Sequence, residues 1–455
     1  MKRTIEQERR PGPGRRPSVA AVATFAALAL AVFPAVRDRQ PASTGTPLKA
    51  KLTATCSRPI PTTQVTAHDG KFWSGATAIT FHGRKFDTGT KVADPVTDLD
   101  QDASWCMNFV RLHVHWTDLE PTAPKHNPDG TWTHTYDATY LAAIKQAVSD
   151  AWTRGLSVLI ENAGNNQVLI DPNATFFAYP LWLYQAPYNS AGVTYTQDDA
   201  GSNQAQADFY TDALRKQFFN DFWKYLAIQL KSTPGIVGYE VQNEPQVGTL
   251  ATGLPTTQMV VDWQLSVAKL IRATDPSRVI VFTTWAGYGP GLPDVDLHDW
   301  VTAPPLDPNG LPQALGYADV AFMAHDYFGA RWGSGLNQST GSSAYHEFYQ
   351  PDYNNVLNGD VGTAPPYIGS TLSQVRWIQD KQNSLSQWKI PLIVGEFGIP
   401  SADIGAYRFY GTVTTALQLT GANWSMSGGT LGIVNSDGSL RPYAQLVIDA
   451  AHNYP

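Results

Sequence analysis

The chain has 455 residues and a net charge of −7, and only 16% of its residues are charged. A nucleic-acid surface needs clustered Lys and Arg, so this acidic and sparsely charged composition excludes nucleic acid as the predicted partner. Hydrophobic residues make up 43% and aromatic residues 11%, which is enough for a large core with aromatic side chains left over for a binding cleft.

The amino-terminal segment has the order of an export signal. Six Lys and Arg residues lie within the first 16 positions, and an apolar stretch follows over residues 19–36. We predict that residues 1–36 are a secretory signal peptide and that the protein is extracellular. The apolar stretch is also close to the length that spans a bilayer, and no clean Ala-x-Ala site follows it, so anchoring at the cell surface through residues 19–36 is the alternative.

Residues 37–64 are rich in Pro, Ser and Thr and are predicted to be a linker or strap, followed by one folded domain over residues 65–455. The two cysteines are Cys56 and Cys106. A single disulfide and two separately buried thiols are both compatible with this count, whereas a cysteine-based metal site is excluded.

From residue 65 onward, short β-type runs alternate with segments that carry apolar residues at helical spacing, which is typical of a parallel sheet with crossover helices. The predicted strands are Ala78–Phe81, Phe109–Val114, Ser157–Ile160, Ile236–Val241, Val279–Phe282, Val320–Met323, Leu392–Val394 and Gly421–Ser425. The predicted helices run from the N-cap Asp137 to Gly155 and over Asp208–Lys231, Thr257–Thr274, Thr371–Gln387 and Ala406–Thr420. This pattern predicts a single closed (β/α)8 TIM barrel. The alternative, an open doubly wound sheet, usually carries a Gly-rich phosphate turn, and none is present.

Two glutamates lie at the ends of apolar strand-like runs, Glu244 in Ile236–Pro245 and Glu396 in Pro391–Gly398. Strand interiors disfavour charge, and in parallel barrels the residues at the carboxyl ends of strands project into one shared cleft. Hydrolysis of a glycosidic bond needs an acid for the leaving oxygen and a negative group for the oxocarbenium-like centre. We therefore predict Glu244 as the acid/base and Glu396 as the ionised nucleophile, with no metal and no organic cofactor.

Three predicted connections, over residues 162–207, 286–318 and 328–370, are unusually long and each follows a strand. Such loops gather at the catalytic face of a barrel, so we expect them to deepen the cleft. Their aromatic residues could stack on sugar rings or pack within their own loops: Trp182, Tyr184, Tyr188, Tyr195, Trp285, Trp300 and Trp332.

The motifs around the two glutamates resemble those of glycoside hydrolase family 5, the cellulase-like family of the retaining clan A barrels. Asn243-Glu244-Pro245 is similar to the family's acid/base motif on strand four, and the sequence Gly395-Glu396-Phe397-Gly398 is similar to its nucleophile motif on strand seven. The resemblance covers nearly the whole chain from about residue 65.

The resemblance implies supporting roles for five further residues. Arg111 would orient the nucleophile, and Asn243 would bond the 2-hydroxyl of the sugar at the cleavage point. His325 and Tyr327 match the strand-six His-x-Tyr pair, with Tyr327 expected to donate to the nucleophile. Trp424 is similar to the strand-eight tryptophan that forms a platform under the sugar.

One departure concerns strand three, where the family usually has a histidine and this chain reads Val158-Leu-Ile-Glu-Asn-Ala163. Glu161 or Asn162 could replace the histidine. For Glu161 we favour a carboxylate paired inside the barrel mouth over a third catalytic acid. The departure bears on the subfamily and on the sugar site at the cleavage point, and not on the two-glutamate mechanism.

Together these features predict a secreted or surface-anchored monomer that binds a poly- or oligosaccharide and cleaves β-linked glycans with retention, with β-1,4-glucan favoured. The enzyme alternatives are a β-mannanase, an exo-β-glucanase and an endoglycoceramidase-like hydrolase. The short stretch after Trp424 disfavours the last, because such enzymes tend to carry an extra β-domain. A non-catalytic carbohydrate-binding barrel is the alternative from another class, although it has no need of a charged pair at the cleft floor.

Overall fold

Eight parallel strands close into a barrel, and their order around the barrel follows the chain. In the computed structural model, barrel strands one to eight are His82–Asp87, Phe109–His115, Ser157–Ala163, Ile236–Glu240, Val279–Thr283, Val320–Asp326, Leu392–Phe397 and Asn423–Met426. The structure describes residues 56–87, 95–163, 179–247, 252–283, 286–287, 318–326, 371–398, 406–428, 432–435 and 437–454. The predicted (β/α)8 barrel is confirmed, and the open-sheet alternative is wrong.

Barrel strand one is not the segment that the sequence predicts. The prediction places it at Ala78–Phe81, whereas the structure has it at His82–Asp87. The first two residues of the predicted segment lie in a small antiparallel sheet, whose strands are Val65–His68, Lys71–Ser74 and Thr77–Ile79. Hydrophobicity selects the wrong segment because the true strand carries Arg84 and Lys85, two cations that pack with acidic partners inside the fold.

The small antiparallel sheet closes the amino-terminal end of the barrel. Phe72 and Ile79 of this sheet, together with Phe81, pack with the barrel residues Phe109 and Leu159 in one buried cluster. The ring centroids of Phe72 and Phe81 are 5.1 Å apart, and those of Phe81 and Phe109 are 4.8 Å apart. This half of the barrel interior is therefore a packed apolar core.

Helices cover the outside of the barrel. Those in the described part are Pro95–Ser104, Trp116–Leu119, Ala138–Thr153, Asp199–Thr211, Ala213–Leu230, Thr257–Thr274, Thr371–Ser386, Ala406–Thr420 and Ala444–His452, with a 3₁₀ turn at Leu181–Tyr184. Asp137 caps the helix that follows it by accepting from the Tyr140 amide at 2.8 Å, as predicted. The single helix predicted over Asp208–Lys231 is two helices. The reason is that Asp212 has an extended backbone and caps the second helix by accepting from the Arg215 amide at 2.8 Å.

Residues 56–64 form a strap across the amino-terminal end of the barrel. Cys56 is bridged to Cys106 in the turn before barrel strand two, so the structure has the disulfide rather than two separate thiols. Arg58 donates to three backbone carbonyls at the same end of the barrel, and Asn108 donates to a strap carbonyl at 2.8 Å. The strap is thus held by one covalent bond and several hydrogen bonds.

The predicted leader over residues 1–36 lies outside the described residues, as do residues 37–55 of the predicted linker. Within the described part, no helix combines the length and the apolar character needed to cross a membrane. Export and surface anchoring therefore stay predictions.

Candidate active site

Charged side chains fill the carboxyl-terminal end of the barrel interior. Along barrel strand two, Phe109, Arg111, His113 and His115 face the interior, because successive side chains of a strand point in opposite directions. Phe109 belongs to the packed core, whereas the three polar residues lie nearer the mouth and are also buried. The interior therefore changes from apolar to charged along the barrel axis.

Arg111 is the centre of a buried ion network. Its Nε and Nη2 donate to the two carboxylate oxygens of Glu240 at 2.8 and 2.7 Å, and Nη2 also donates to Asn243 Oδ1 at 2.9 Å. Its Nη1 donates to Glu396. Burial alone would lower the pKa of Arg111, but Glu161, Glu240 and Glu396 raise that pKa well above its ordinary value. Arg111 therefore stays charged and fixes the acidic side chains around it.

Glu396 is an ionised carboxylate on barrel strand seven. Lys85 Nζ donates to its Oε1 at 3.0 Å, the same oxygen that accepts from Arg111. Its Oε2 lies 4.0 Å from His325 Nδ1. Burial alone would raise the pKa of Glu396, but electrostatic interactions with Lys85, His325 and Arg111 hold that pKa well below its ordinary value. The carboxylate thus has the charge that a nucleophile needs.

A bulge in barrel strand seven directs Glu396 into the interior. Relative to strand six, strand seven carries one extra residue, Gly395, between Val394 and Glu396. A Cβ atom on Gly395 would lie 2.0 Å from Met323 Sδ. A side chain at this position would therefore displace Met323, which explains the glycine directly before the carboxylate.

Glu244 follows barrel strand four and has a left-handed backbone, with φ of 37°. This conformation is unfavourable for a residue with a side chain, and such strain is concentrated at functional sites. Glu244 Oε1 lies 2.9 Å from His325 Nδ1, and the Glu244 side chain is 20% exposed, against 3% for Glu396. A carboxylate oxygen of Glu244 and one of Glu396 lie within 4.8 Å of each other. The structure thus brings the two predicted catalytic glutamates together, with Glu244 nearer to solvent.

Glu161, on barrel strand three, is paired within the network. Its Oε2 lies 3.0 Å from Arg111 Nε and 2.8 Å from His113 Nε2. Burial raises the pKa of Glu161 well above its ordinary value, although Arg111 acts in the opposite direction. Burial, with Lys85 and Arg111, also lowers the pKa of His113 well below its ordinary value. Both shifts favour the neutral form of the group, and the geometry agrees with a paired carboxyl rather than a third catalytic acid.

Two of the predicted site residues are not part of this group. Trp424 faces the outer layer between the barrel and its helices, where it is 1% exposed, stacks on His82 at 4.9 Å and meets Phe397 edge-on at 5.8 Å. Alternation along strand eight turns the next residue, Ser425, toward the interior instead. Trp424 in this position cannot form the predicted sugar platform, so that role is corrected to packing of the outer core. Tyr327 lies outside the described residues.

Three residues of the network were missed by sequence reasoning: Lys85, Glu240 and Thr283. Thr283 Oγ1 donates to Glu240 Oε1 at 2.6 Å and so supports the carboxylate that holds Arg111. Glu240 ends an apolar strand, as the two predicted glutamates do, so the same rule could have found it. Lys85 was missed because barrel strand one was assigned to the preceding segment.

The described loop aromatics pack within the protein rather than lining an open cleft. Trp182, Tyr184 and Tyr195 are each 1–7% exposed. Trp182 meets Trp116 edge-on at 5.9 Å, and the two tyrosine rings lie 5.5 and 4.3 Å from the Arg215 guanidinium. Tyr188 packs against Trp132 and Trp182. Trp285, Trp300 and Trp332 lie outside the described residues.

Two groups of side chains in the described part have the composition of a possible metal site: His113, Glu161 and Glu396, and Glu244, His325 and Glu396. Both groups include Glu396, whose Oε1 already has Lys85 and Arg111 as counter-ions. We therefore assign no ion to either group, and the absence of a metal requirement stays a prediction.

Comparison with known proteins gives a family match and several relatives. The family model described as cellulase (glycosyl hydrolase family 5) matches residues 78–428. An endoglycoceramidase from Hydra vulgaris is 25% identical over 198 residues. That match covers 35% of this chain and 37% of the relative, so the chain spans little more than a third of the curated relative's length.

Solved structures with the same fold are more distant in sequence. Endo-glycoceramidase II from Rhodococcus sp. in a cellobiose-like imidazole complex has a TM-score of 0.56 at 18% identity, covering 85% of this chain and 80% of that chain. Its ganglioside GM3 complex has a TM-score of 0.55 at 17% identity, covering 86% and 81%. Another glycoside hydrolase has a TM-score of 0.53 at 15% identity, covering 82% and 99%. At these identities the likeness shows the fold.

Proposed function

Because the chain belongs to glycoside hydrolase family 5 and is a glycoside hydrolase, we propose that it cleaves β-linked glycans with retention of anomeric configuration, using Glu396 as nucleophile and Glu244 as acid/base. The observation that carries this proposal is the approach of the two carboxylates to within 4.8 Å. Retaining enzymes place their carboxyl groups about 5–5.5 Å apart, whereas inverting enzymes leave about 6.5–9.5 Å for a water molecule.

In the proposed first step, Glu396 attacks the anomeric carbon and the bond from that carbon to the leaving oxygen breaks. The electron pair goes to the leaving oxygen, which takes the proton of Glu244. Three features of the site support these roles. Glu396 is held ionised by cations, Glu244 is the more exposed of the two and faces the mouth, and His325 lies between them.

In the proposed second step, Glu244 acts as a base on a water molecule that attacks the same carbon. The bond from Glu396 to the sugar breaks, and the electron pair returns to the carboxylate. Arg111 holds Glu396 in place during both steps and also holds Asn243 Oδ1 at 2.9 Å. The Asn243 amide nitrogen is thereby left to donate to the sugar, in agreement with its predicted contact with the 2-hydroxyl.

Two substrate classes have separate support. A β-1,4-glucan follows from the resemblance to cellulases, whereas the endoglycoceramidase relatives favour a glycolipid in which an oligosaccharide is β-linked to ceramide. The buried loop aromatics weaken the argument for a long polysaccharide cleft. The glycolipid is therefore the second candidate, and β-mannan and exo-acting cleavage of glucan remain the alternatives within the same mechanism.

Proton NMR of the first sugar product tests retention, because the anomeric configuration is read directly before mutarotation. Initial release of the inverted anomer would contradict the proposed mechanism. Comparison of kcat/KM for soluble β-1,4-glucan, mannan and a detergent-solubilised glycosylceramide tests the substrate. A tenfold preference, about 1.4 kcal/mol of transition-state binding, assigns the class.

We further propose that the enzyme acts outside the cytoplasm as a monomer. The basic and apolar order of residues 1–36 supports export, and the Cys56–Cys106 disulfide is of the kind that persists in oxidising compartments. Cell fractionation followed by mass spectrometry of the purified protein tests both the location and the fate of the leader. Light scattering of the same sample tests the monomer.

A further inference from the structure

Lys85 brings a second positive charge, beside that of Arg111, into contact with the carboxylate of Glu396. Lys85 lies on barrel strand one directly opposite Arg111 on strand two, and both side chains point into the barrel. Two like charges in opposite positions on neighbouring strands repel each other. Both cations contact the same carboxylate oxygen, Glu396 Oε1, and this contact offsets part of the repulsion.

The surroundings of this contact are largely buried and contain both acidic and basic groups. The titratable and charged groups that face it come from strands two, three, four and six: Arg111, His113, Glu161, Glu240, Glu244 and His325. Arg111 donates to the two carboxylate oxygens of Glu240 through its Nε and Nη2. Lys85 contacts Glu396 at 3.0 Å, whereas Arg111 divides its contacts between Glu396 and Glu240.

We propose, on the basis of the function proposed above, that Lys85 is a positioning residue that occupies Oε1 of Glu396 and leaves Oε2 as the atom that bonds to the anomeric carbon. Oε1 accepts from both Lys85 and Arg111. Oε2 lies on the side of His325, whose Nδ1 is 4.0 Å from it and 2.9 Å from Glu244 Oε1. The attacking oxygen thus faces the acid/base residue.

This contact affects the two chemical steps in opposite directions. When Oε2 bonds to the anomeric carbon, Glu396 loses its negative charge and the attraction of Lys85 for it is lost. When water displaces the sugar, the electron pair of the bond from Oε2 to carbon returns to Glu396, and its charge reappears beside Lys85. Lys85 therefore makes Glu396 a better leaving group in the second step.

The test compares Lys85→Met, which removes the charge, with Lys85→Arg, which keeps it. Lys145→Met is the matched control, because Lys145 lies on the outer helix Ala138–Thr153 and contacts Gln229. Loss of a nearby cation raises a carboxyl pKa by about one unit or more, so the acid limb of the kcat/KM profile should move to higher pH in Lys85→Met by that amount. With an activated aryl glycoside, Lys85→Met should also show a burst of aryl product followed by a steady rate about tenfold or more below wild type.

Lys85→Arg and Lys145→Met should keep the acid limb of the wild type. If Lys85→Met does not fold, Lys85→Gln carries the same test, because its amide can bond Oε1 without a charge. An acid limb that stays in place in a folded, uncharged Lys85 variant would overturn the proposal. Trapping of the wild-type enzyme with a 2-deoxy-2-fluoro glycoside, followed by peptide mass spectrometry, tests Glu396 itself, so failure of the proposed function is distinguished from failure of the role of Lys85.

Discussion

At the residue scale, Glu161 and Glu240 are opposite each other on neighbouring strands and contact the same arginine. Two ionised carboxylates in this arrangement would repel each other. Glu240 binds Arg111 through both oxygens and also accepts from Thr283. Burial raises the pKa of Glu161, which favours its protonated form and so acts against this repulsion. The two carboxyl groups of this network thus differ in their hydrogen-bond partners.

The same substitution should therefore have different effects at the two positions. Glu240→Gln should lower the free energy of unfolding by about 3–5 kcal/mol, because it leaves the buried Arg111 without its bidentate partner. Because burial favours the protonated form of Glu161, the neutral amide of Glu161→Gln should leave stability at pH 7 equal or higher. Urea unfolding of both variants measures the difference. Equal destabilisation by the two would contradict the assignment of the proton to Glu161.

The pH dependence of Glu161→Gln provides a second measurement. A carboxyl whose pKa is raised on folding stabilises the protein fully below its ordinary value of 4.5, and this contribution is lost as the pH rises through the folded value. The wild type should therefore lose stability relative to Glu161→Gln as the pH rises above about 4.5. A constant difference between pH 4 and pH 8 would mean that Glu161 is ionised in the folded protein.

Substitution of the two catalytic candidates should separate their roles. Glu396→Gln should remove nearly all activity without unfolding the protein, because no other group can form the covalent bond. Glu244→Ala should retain the first step on a substrate with an activated leaving group, and added azide should restore turnover by attacking the glycosyl-enzyme. The rate with and without azide, and the anomeric form of the azide product, are the readouts. Absence of rescue in a folded variant would count against the role of Glu244.

The structure brings together five of the residues singled out from the sequence, Arg111, Asn243, Glu244, His325 and Glu396. Glu244 and Glu396 could be anticipated because a charged group at the end of an apolar strand is unfavourable unless it has a function, and Arg111, Asn243 and His325 because of the resemblance to the family. Trp424 is different. A tryptophan is stable on either face of a barrel strand, so its place in a motif does not specify its direction, and the structure turns it outward.

At the element scale, the hairpin of residues 125–133 joins barrel strand two to the helix at Ala138 and is tied to the barrel by His134. His134 Nδ1 lies 2.6 Å from Glu120 Oε1, and its Nε2 lies 3.4 Å from Asp221 Oδ2. The other oxygen of Glu120 accepts from Trp116 Nε1 at 2.9 Å. The hairpin is thus linked to the core through a histidine between two carboxylates.

The stability of this link should depend on pH. Burial alone would lower the pKa of His134, but hydrogen bonds to Asp221 and Glu120 raise it to about 9. A raised histidine pKa contributes stability that is complete below the ordinary value of 6.5 and is lost as the pH rises through about 9. The Tm of the wild type should fall over this range more than that of His134→Gln. His126→Gln, which alters an exposed histidine of the same hairpin, is the control and should behave as wild type in scanning calorimetry.

Helices were more predictable than the first strand, and the reason is local. Asp137 predicts the start of its helix because the capping bond depends only on residues three positions away. Barrel strand one depends on distant partners, since Arg84 pairs with Asp102 and Lys85 with Glu396. No local sequence pattern indicates such pairings. The apolar segment before barrel strand one therefore looked more like a buried strand than the true strand did.

At the scale of the whole molecule, the Cys56–Cys106 bridge joins residues 50 positions apart. Closing a loop of this length reduces the entropy of the unfolded chain, so replacing both cysteines by serine should lower the free energy of unfolding by about 2–4 kcal/mol. Activity should be kept, because the bridge and the site lie at opposite ends of the barrel. Urea unfolding and an aryl glycoside assay measure the two effects. An unchanged unfolding midpoint would contradict the stabilising role of the bridge, and lost activity in a folded variant would contradict its separation from the active site.

The strap has a further consequence for how the enzyme meets its substrate. Cys56 joins the barrel beside the small antiparallel sheet, at the end from which the eight strands start, whereas the glutamates lie where the strands finish. Whatever precedes Cys56 is therefore attached to the rear of the catalytic unit. A support that held the protein by this end would leave the mouth of the barrel pointing outward, toward molecules that arrive from the surrounding medium. Catalysis would then take place one barrel length away from the point of attachment.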